Sequence, residues 1–180
     1  MAAEQRLPYR PCVGILLFNP ENLVWIGRRI PKWSGDGSPQ LWQLPQGGID
    51  AGESPRQAAY RELEEEVGTA NADIIAESPR WLTYDLPPQA VGRALKGRFG
   101  GQRQKWFAMR FKGSDAEIDI GERPGHRPEF DAWRWAGLDE IVGLVVPFKR
   151  SVYEALVAEF APLISASGGR GPAGGGRPDG

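Results

Sequence analysis

The sequence predicts an α+β fold, a sheet core flanked by helices. Three observations lead there. Short apolar runs with strand character recur at residues 13–18, 23–28, 41–44, 81–84, 104–111 and 130–135. Two segments, 55–67 and 148–160, place their apolar residues at helical spacing instead. Strands and helices alternate with no βαβ repeat and no internal repeat. A chain of 180 residues suits one domain, assigned to residues 1–164. Residues 165–180 are mostly Gly, Pro, Ser, Ala and Arg, and are expected to form a disordered tail.

The elements follow in order. Residues 13–18 form a first strand. Asn19, Pro20, Glu21 and Asn22 make a turn, and residues 23–28 return as a second strand. Residues 32–40 are expected to be a surface loop. A strand at 41–44 leads into a glycine loop at Gly47 and Gly48. After Gly68 a polar stretch runs to Trp81, Leu82, Thr83 and Tyr84, a strand ended by Pro87 and Pro88. Residues 104–111 read as a long strand. In residues 130–135, Trp133 and Trp135 share one face. The last helix, 148–160, turns Val152, Leu156 and Phe160 inward.

The helix at 55–67 carries the chemistry. Ser54 and Gln57 have the spacing of a capping box, and Pro55 stands at the first helical position. The run from Arg56 to Val67 has no Gly or Pro and is rich in helix formers. Gly68 stops it. At about 100° per residue, Ala59, Leu63 and Val67 share one stripe, which packs on a core. Glu62, Glu65 and Glu66 lie within an arc of about 100° beside that stripe, whereas Glu64 points elsewhere. Like charges at this spacing cost a few tenths of a kcal/mol per pair, and acids near a helix C-terminus oppose its dipole. A hard divalent cation such as Mg²⁺ or Mn²⁺ would relieve both and favours oxygen ligands. A Glu-rich run standing alone is usually a solvated face; here the carboxylates border the apolar stripe, and Glu53 and a glycine loop precede them.

Composition bounds the rest. The chain is 41% hydrophobic and 25% charged, with a net charge of −1, which argues against a general nucleic-acid coat protein. Residues 86–112 contain Arg93, Lys96, Arg98, Arg103, Lys105, Arg110 and Lys112 and no acidic residue. A basic segment beside an acidic site suits a polyanion held against a metal, although such a segment alone is as readily a bare surface loop. Cys12 is the single cysteine, lies in an apolar run and is expected to be buried and inert. His126 is the single histidine, which excludes a multi-His zinc site; it is expected on a surface loop. Residues 1–11 lack the apolar core of a signal peptide, and no apolar run approaches a membrane span, so a cytoplasmic location is the expectation.

Gly47, Glu53, Arg61, Glu62, Leu63, Glu65, Glu66 and Gly68 together match the pattern of the Nudix hydrolases, with Thr69 standing where an aliphatic residue is usual. Further stretches around Arg10, Trp42, Gln104, Glu129 and Phe148 resemble the bacterial RNA pyrophosphohydrolase branch of that family, itself similar to dinucleoside polyphosphate hydrolases. The resemblance covers residues 9–160. It implies an α/β/α sandwich with a mixed central sheet. It implies Mg²⁺ or Mn²⁺, more than one ion, held by Glu62, Glu65, Glu66 and Glu129. Glu65, Glu66 and Glu129 are the candidate catalytic residues, with the general base left open among them. Gly47, Glu53, Arg61 and Gly68 are implied to be structural.

The same resemblance makes Arg10, Gln104 and Lys105 candidates for phosphate contact, with Phe148 stacking on a base and Lys149 beside it. Arg10 could equally end a surface strand, and Phe148 could begin a helix in the core; Trp106, Trp133 and Trp135 are expected in the core. The implied activity is removal of pyrophosphate from the 5′-triphosphate end of RNA, leaving a monophosphate that marks mRNA for decay. Asymmetric hydrolysis of diadenosine polyphosphates is the enzymatic alternative. A nucleotide or RNA sensor without turnover is the alternative of another class, disfavoured by the retained carboxylates.

Overall fold

A computed structural model describes residues 6–32 and 42–167. Of the surface loop expected at 32–40, residues 33–40 lie outside the described residues, as does the tail beyond Ser167. The strands are β1 (Tyr9–Phe18), β2 (Val24–Arg29), β3 (Trp42–Gln43), β4 (Gln46–Gly48), β5 (Ala72–Glu77), β6 (Leu82–Asp85), β7 (Gly101–Phe111) and β8 (Phe130–Ala136). The helices are α1 (Pro55–Val67), α2 (Ile141–Leu144) and α3 (Arg150–Ser167). Short 3₁₀ turns cover Ala94–Gly97, Asp115–Glu117 and Pro147–Lys149.

The eight strands make one mixed sheet with the order β3-β2-β1-β7-β5. β1 and β7 run parallel over their whole length, from Tyr9 opposite Gly101 to Phe18 opposite Arg110. The remaining pairings are antiparallel: β2 and β4 on β1, β3 and β8 on β2, and β6 and β5 on β7. β1 is apolar at almost every position because both its faces are covered. Val13, Ile15 and Leu17 face one core, with Ala59, Leu63 and Val67 of α1. Leu16 and Phe18 face the other, with Val152, Leu156 and Phe160 of α3 and Ile141 of α2. Helices therefore cover both sides of a mixed sheet, which is the expected layered α+β arrangement.

Three differences from the expectation have physical causes. Residues 72–77 were expected to be a polar connection but form β5, with Ala72 paired to Phe111 and Ile74 to Met109. Ala, Asp and Glu are weak strand formers, and the exposed edge of β7 outweighs their preference. Gly47 and Gly48 were expected in a loop but belong to β4, paired with Val13 and Cys12. The last helix does not end at Phe160 but continues through Pro162 to Ser167, and Ala161 and Ile164 extend its packing on the core. Cys12 is fully buried, and burial pushes its thiol up to about 11, so it is inert as expected. Trp106 is fully buried, while Trp133 and Trp135 are partly buried against the α1-side core. No helix among the described residues is long and apolar enough to cross a membrane.

Candidate active site

The geometry of the site begins with α1. Ser54 Oγ accepts from Gln57 N at 3.2 Å and Gln57 Oε1 accepts from Ser54 N at 2.9 Å, completing the capping box. At the other end Gly68 takes φ +92° and donates to Glu64 O at 3.0 Å. A Cβ on Gly68 would also strike the backbone of Asp119. Glycine is thus required there for conformation and for close approach.

Arg61 organises the carboxylates. Its Nε donates to Glu53 at 2.7 Å, Nη2 to Glu53 and to Gly48 O at 2.8 Å each, and Nη1 to Glu62 at 2.8 Å and Glu65 at 3.3 Å. Every N–H of the guanidinium has an acceptor. The hydrogen bonds from Arg61 hold the Glu53 carboxyl down to about 2. The pair locks the loop of residues 49–54 onto the helix. On the other side of the helix, a Cβ on Gly47 would fall on the Glu62 carboxyl, so this glycine is a cradle for that side chain.

Glu66 is 5% exposed and accepts from Gln46 N at 3.0 Å. Burial pushes its carboxyl well above the usual range, and the charges of Glu129 and Glu62 push the same way. Glu62, also buried, is raised by desolvation against the pull of Arg61. Glu129, just before β8, is paired with Lys32 at 2.8 Å. Glu65 is more open, its side chain 40% exposed, and Glu64 points to solvent. The chain therefore brings Glu62, Glu65, Glu66 and Glu129 to one cavity wall.

Among the described residues, no group of three or more His, Cys, Asp or Glu side chains is gathered closely enough to hold a metal ion as it stands. Arg61 draws Glu62 and Glu65 toward itself, and Lys32 draws Glu129. The donor set nevertheless fits a hard cation. It is all carboxylate oxygen, its most buried member, Glu66, is pushed further up by the charges of Glu129 and Glu62, and glycine leaves room for Glu62.

The cavity has a volume of about 980 Å³, at the upper end of the range of roughly 300–1,000 Å³ for small-ligand sites. Arg10 lines it, its guanidinium occupying the space a Cβ on Gly48 would need. Lys149 lines it too, buried, with Nζ donating to Gln43 Oε1 at 3.0 Å and lying 5.5 Å from the Tyr84 ring centre. Phe148 is half-buried on the α3-side core, 5.6 Å from Tyr84, and also lines the cavity.

Two expected phosphate contacts are not brought to the cavity. Gln104 is buried beneath it, donating to Gln102 at 2.9 Å and accepting from Trp106 Nε1 at 3.1 Å. Lys105 lies on the opposite strand face, where it bonds the Ser78 carbonyl and sits 3.7 Å from Glu77. A period of two places Gln102 at the lining and Lys105 behind it. His126, expected on an outer loop, also lines the cavity.

Sequence reading missed Arg29, Lys32, Gln46, Tyr84 and Gln102, which all line the cavity. It also missed Arg123, whose guanidinium donates to the α1 carbonyls of Glu64 at 2.9 Å and Glu65 at 2.7 Å. Arg123 supplies the positive charge at the helix C-terminus that α1 itself lacks. A short bridge between Arg123 and His126 carries this anchor on toward Glu129.

Comparison with known proteins extends this geometry. Residues 8–156 match the family model of the NUDIX domain. The chain is 53% identical over 167 residues to a Rhizobium meliloti (strain 1021) protein named RNA pyrophosphohydrolase, covering 91% of this chain and 99% of that one. It is 54% identical over 160 residues to an Agrobacterium fabrum (strain C58) protein of the same name, covering 87% and 94%. Among solved structures, a C. elegans Ap4A hydrolase complex superposes with a TM-score of 0.58 at 17% identity, covering 85% of this chain and 98% of that one. The E. coli dihydroneopterin triphosphate pyrophosphohydrolase gives 0.59 at 19% identity, covering 84% and 99%. At those identities the two structures speak to the fold alone.

Proposed function

The chain belongs to the Nudix family, and from that premise we propose that it is a divalent-metal-dependent hydrolase that removes pyrophosphate from the 5′-triphosphate end of RNA. The observation that carries this reading is the likeness, above half identity and almost end to end, to relatives named RNA pyrophosphohydrolase. The cavity supports it, because carboxylates, cations and aromatic rings all line it. A transcript 5′ end as substrate also favours a cytoplasmic setting.

Glu62, Glu65, Glu66 and Glu129 would hold Mg²⁺ or Mn²⁺. When bound, the metal neutralises phosphoryl oxygens and lowers the pKa of a water. Arg10 would grip the phosphates from the β1 side. Lys149 would do so from the start of α3. Phe148, with Tyr84 packed against it, would stack on the first base. Glu65 and Glu129, the more exposed members, are the candidates to take the proton of the attacking water, with Glu66 buried behind them.

Base stacking contributes about 1–3 kcal/mol per base. Phe148→Ala is therefore expected to raise KM roughly 5- to 150-fold while costing about 1 kcal/mol of stability, since the ring is only half-buried. Steady-state kinetics beside a melting curve checks this. A large stability loss with unchanged KM would return Phe148 to the core.

The reading as a whole is tested by offering 5′-triphosphorylated RNA and diadenosine tetraphosphate at matched concentrations with Mg²⁺. Faster formation of 5′-monophosphorylated RNA is expected. Faster cleavage of the dinucleotide would make the chain a dinucleoside polyphosphate hydrolase, and no turnover of either would favour a sensor.

A further inference from the structure

We propose that residues 87–99 form a second anion subsite, which takes the phosphodiester backbone of the RNA downstream of its first nucleotides. The inference rests on the RNA reading above and adds to it a means of preferring a polynucleotide over a small nucleotide.

The basic stretch of the sequence divides in two in the structure. Its C-terminal half is already engaged in the fold. Arg103 stacks on Trp81 with 4.2 Å to the ring centre, and Lys105 bonds Ser78 beside Glu77. Arg110 binds Asn22 at 2.9 Å and the Asn19 carbonyl, and Lys112 pairs with Asp73 at 3.0 Å. Arg93, Lys96 and Arg98 are different. None of them pairs with a carboxylate among the described residues, and all of them line the cavity. Phe99 lines it beside them, with the Arg98 guanidinium 5.9 Å from its ring centre.

The backbone of this segment is shaped with unusual effort for a mere connection. Leu86 N bonds Gly100 O at 2.8 Å and closes the segment into a loop, while Ala90 roots it in the core. Inside it Gly92, Leu95, Lys96 and Gly97 have φ of +83°, +52°, +57° and +68°. Leu95 and Lys96 are not glycine, so their left-handed conformation is strained, and such strain gathers where a loop presents side chains for a purpose. The result is a group of cations lining the same cavity as Glu62, Glu65 and Glu66.

The cations nearer the carboxylates serve the triphosphate. Arg10 lies against Gly48, Lys32 on Glu129, and Lys149 at Gln43. A substrate that ended at its triphosphate and first nucleoside would leave Arg93, Lys96 and Arg98 without counter-charge. A chain that continues with one phosphate per nucleotide would supply it, and Phe99 offers a face for a further base.

The test uses the full chain and Arg93→Gln/Lys96→Gly. Glycine at position 96 keeps the left-handed backbone and removes the side chain together with its charge. Values of kcat/KM are measured for a 5′-triphosphorylated dinucleotide, a longer single-stranded RNA with the same 5′ end, and diadenosine tetraphosphate, across a salt series. The parent is expected to favour the longer RNA. The double variant is expected to lose about tenfold on it, with less than about twofold change on the two small substrates. Its salt slope on long RNA should fall by roughly 0.7 per charge removed. Equal losses on all substrates, or no loss on the long RNA, would overturn the subsite while leaving the activity standing. A parent inactive on every RNA would overturn the activity reading itself.

Discussion

Replacing Glu66 by Gln is expected to abolish turnover and to leave the metal-free fold as stable as the parent's or more so. The two effects have one cause. Glu66 is an almost fully buried carboxylate whose neighbours Glu129 and Glu62 are also acidic, and it accepts a hydrogen bond from Gln46 N. The amide keeps the shape and the acceptor toward Gln46 but cannot serve as an anionic ligand. Loss of transition-state charge stabilisation of several kcal/mol corresponds to roughly a thousandfold or more in kcat.

The stability effect has a definite sign. The folded-state pKa of Glu66 lies well above the ordinary 4.5, so the folded protein holds this proton more tightly than the unfolded chain. Stability of the metal-free parent must then fall as pH rises from about 4.5 toward the raised pKa. Glu66→Gln removes that slope. Adding Mg²⁺ should stabilise the parent most at the upper end of that window, with proton release, and the variant hardly at all. Melting curves across pH with and without Mg²⁺ test this; a variant stabilised by Mg²⁺ as strongly as the parent would remove Glu66 from the metal site.

Much of this site was legible in the sequence because its geometry is local. Ser54, Gln57 and Gly68 fix both ends of α1, and the spacing of Glu62, Glu65 and Glu66 then fixes their common face. Glu53 reaches Arg61 within the same segment. What sequence could not show depends on distant strands. Whether Gln102 or Gln104 meets the cavity turns on the register of β7 against β1, where Gln102 lies opposite Arg10 and Gln104 opposite Cys12. A one-residue difference in a strand moves a side chain to the other face, which is how Lys105 came to lie behind the sheet. Arg123 is separated from α1 by β5, β6 and β7, and only the folded chain sets it on the carbonyls of Glu64 and Glu65. β5 was missed for a related reason: its pairing with β7, not its composition, makes it a strand.

Arg61→Ala is expected to damage the protein in both stability and activity, and the acid limb of its stability curve separates the causes. The substitution removes the donor to Glu53, Glu62, Glu65 and Gly48 O at once. It leaves Glu53 and Glu62, largely buried, without the ion pairs that Arg61 makes to both. Breaking a buried pair costs about 3–5 kcal/mol. Arg61 is 29% exposed, so solvent softens this to about 2–3 kcal/mol. The Glu53 carboxyl is held at about 2 by Arg61 against an ordinary 4.5, so it contributes stability above 4.5 that is lost as pH falls toward 2. In Arg61→Ala that dependence should flatten, because folded and unfolded values converge. Arg61→Lys should restore part of the stability but little of the activity. An ammonium cannot form the paired bonds to Glu53 while also orienting Glu62 and Glu65. Denaturant unfolding across pH, together with kcat for both variants, measures each part. If the alanine variant kept the parent's acid-dependent loss between about pH 5 and 2, the Glu53–Arg61 pair would not be its source.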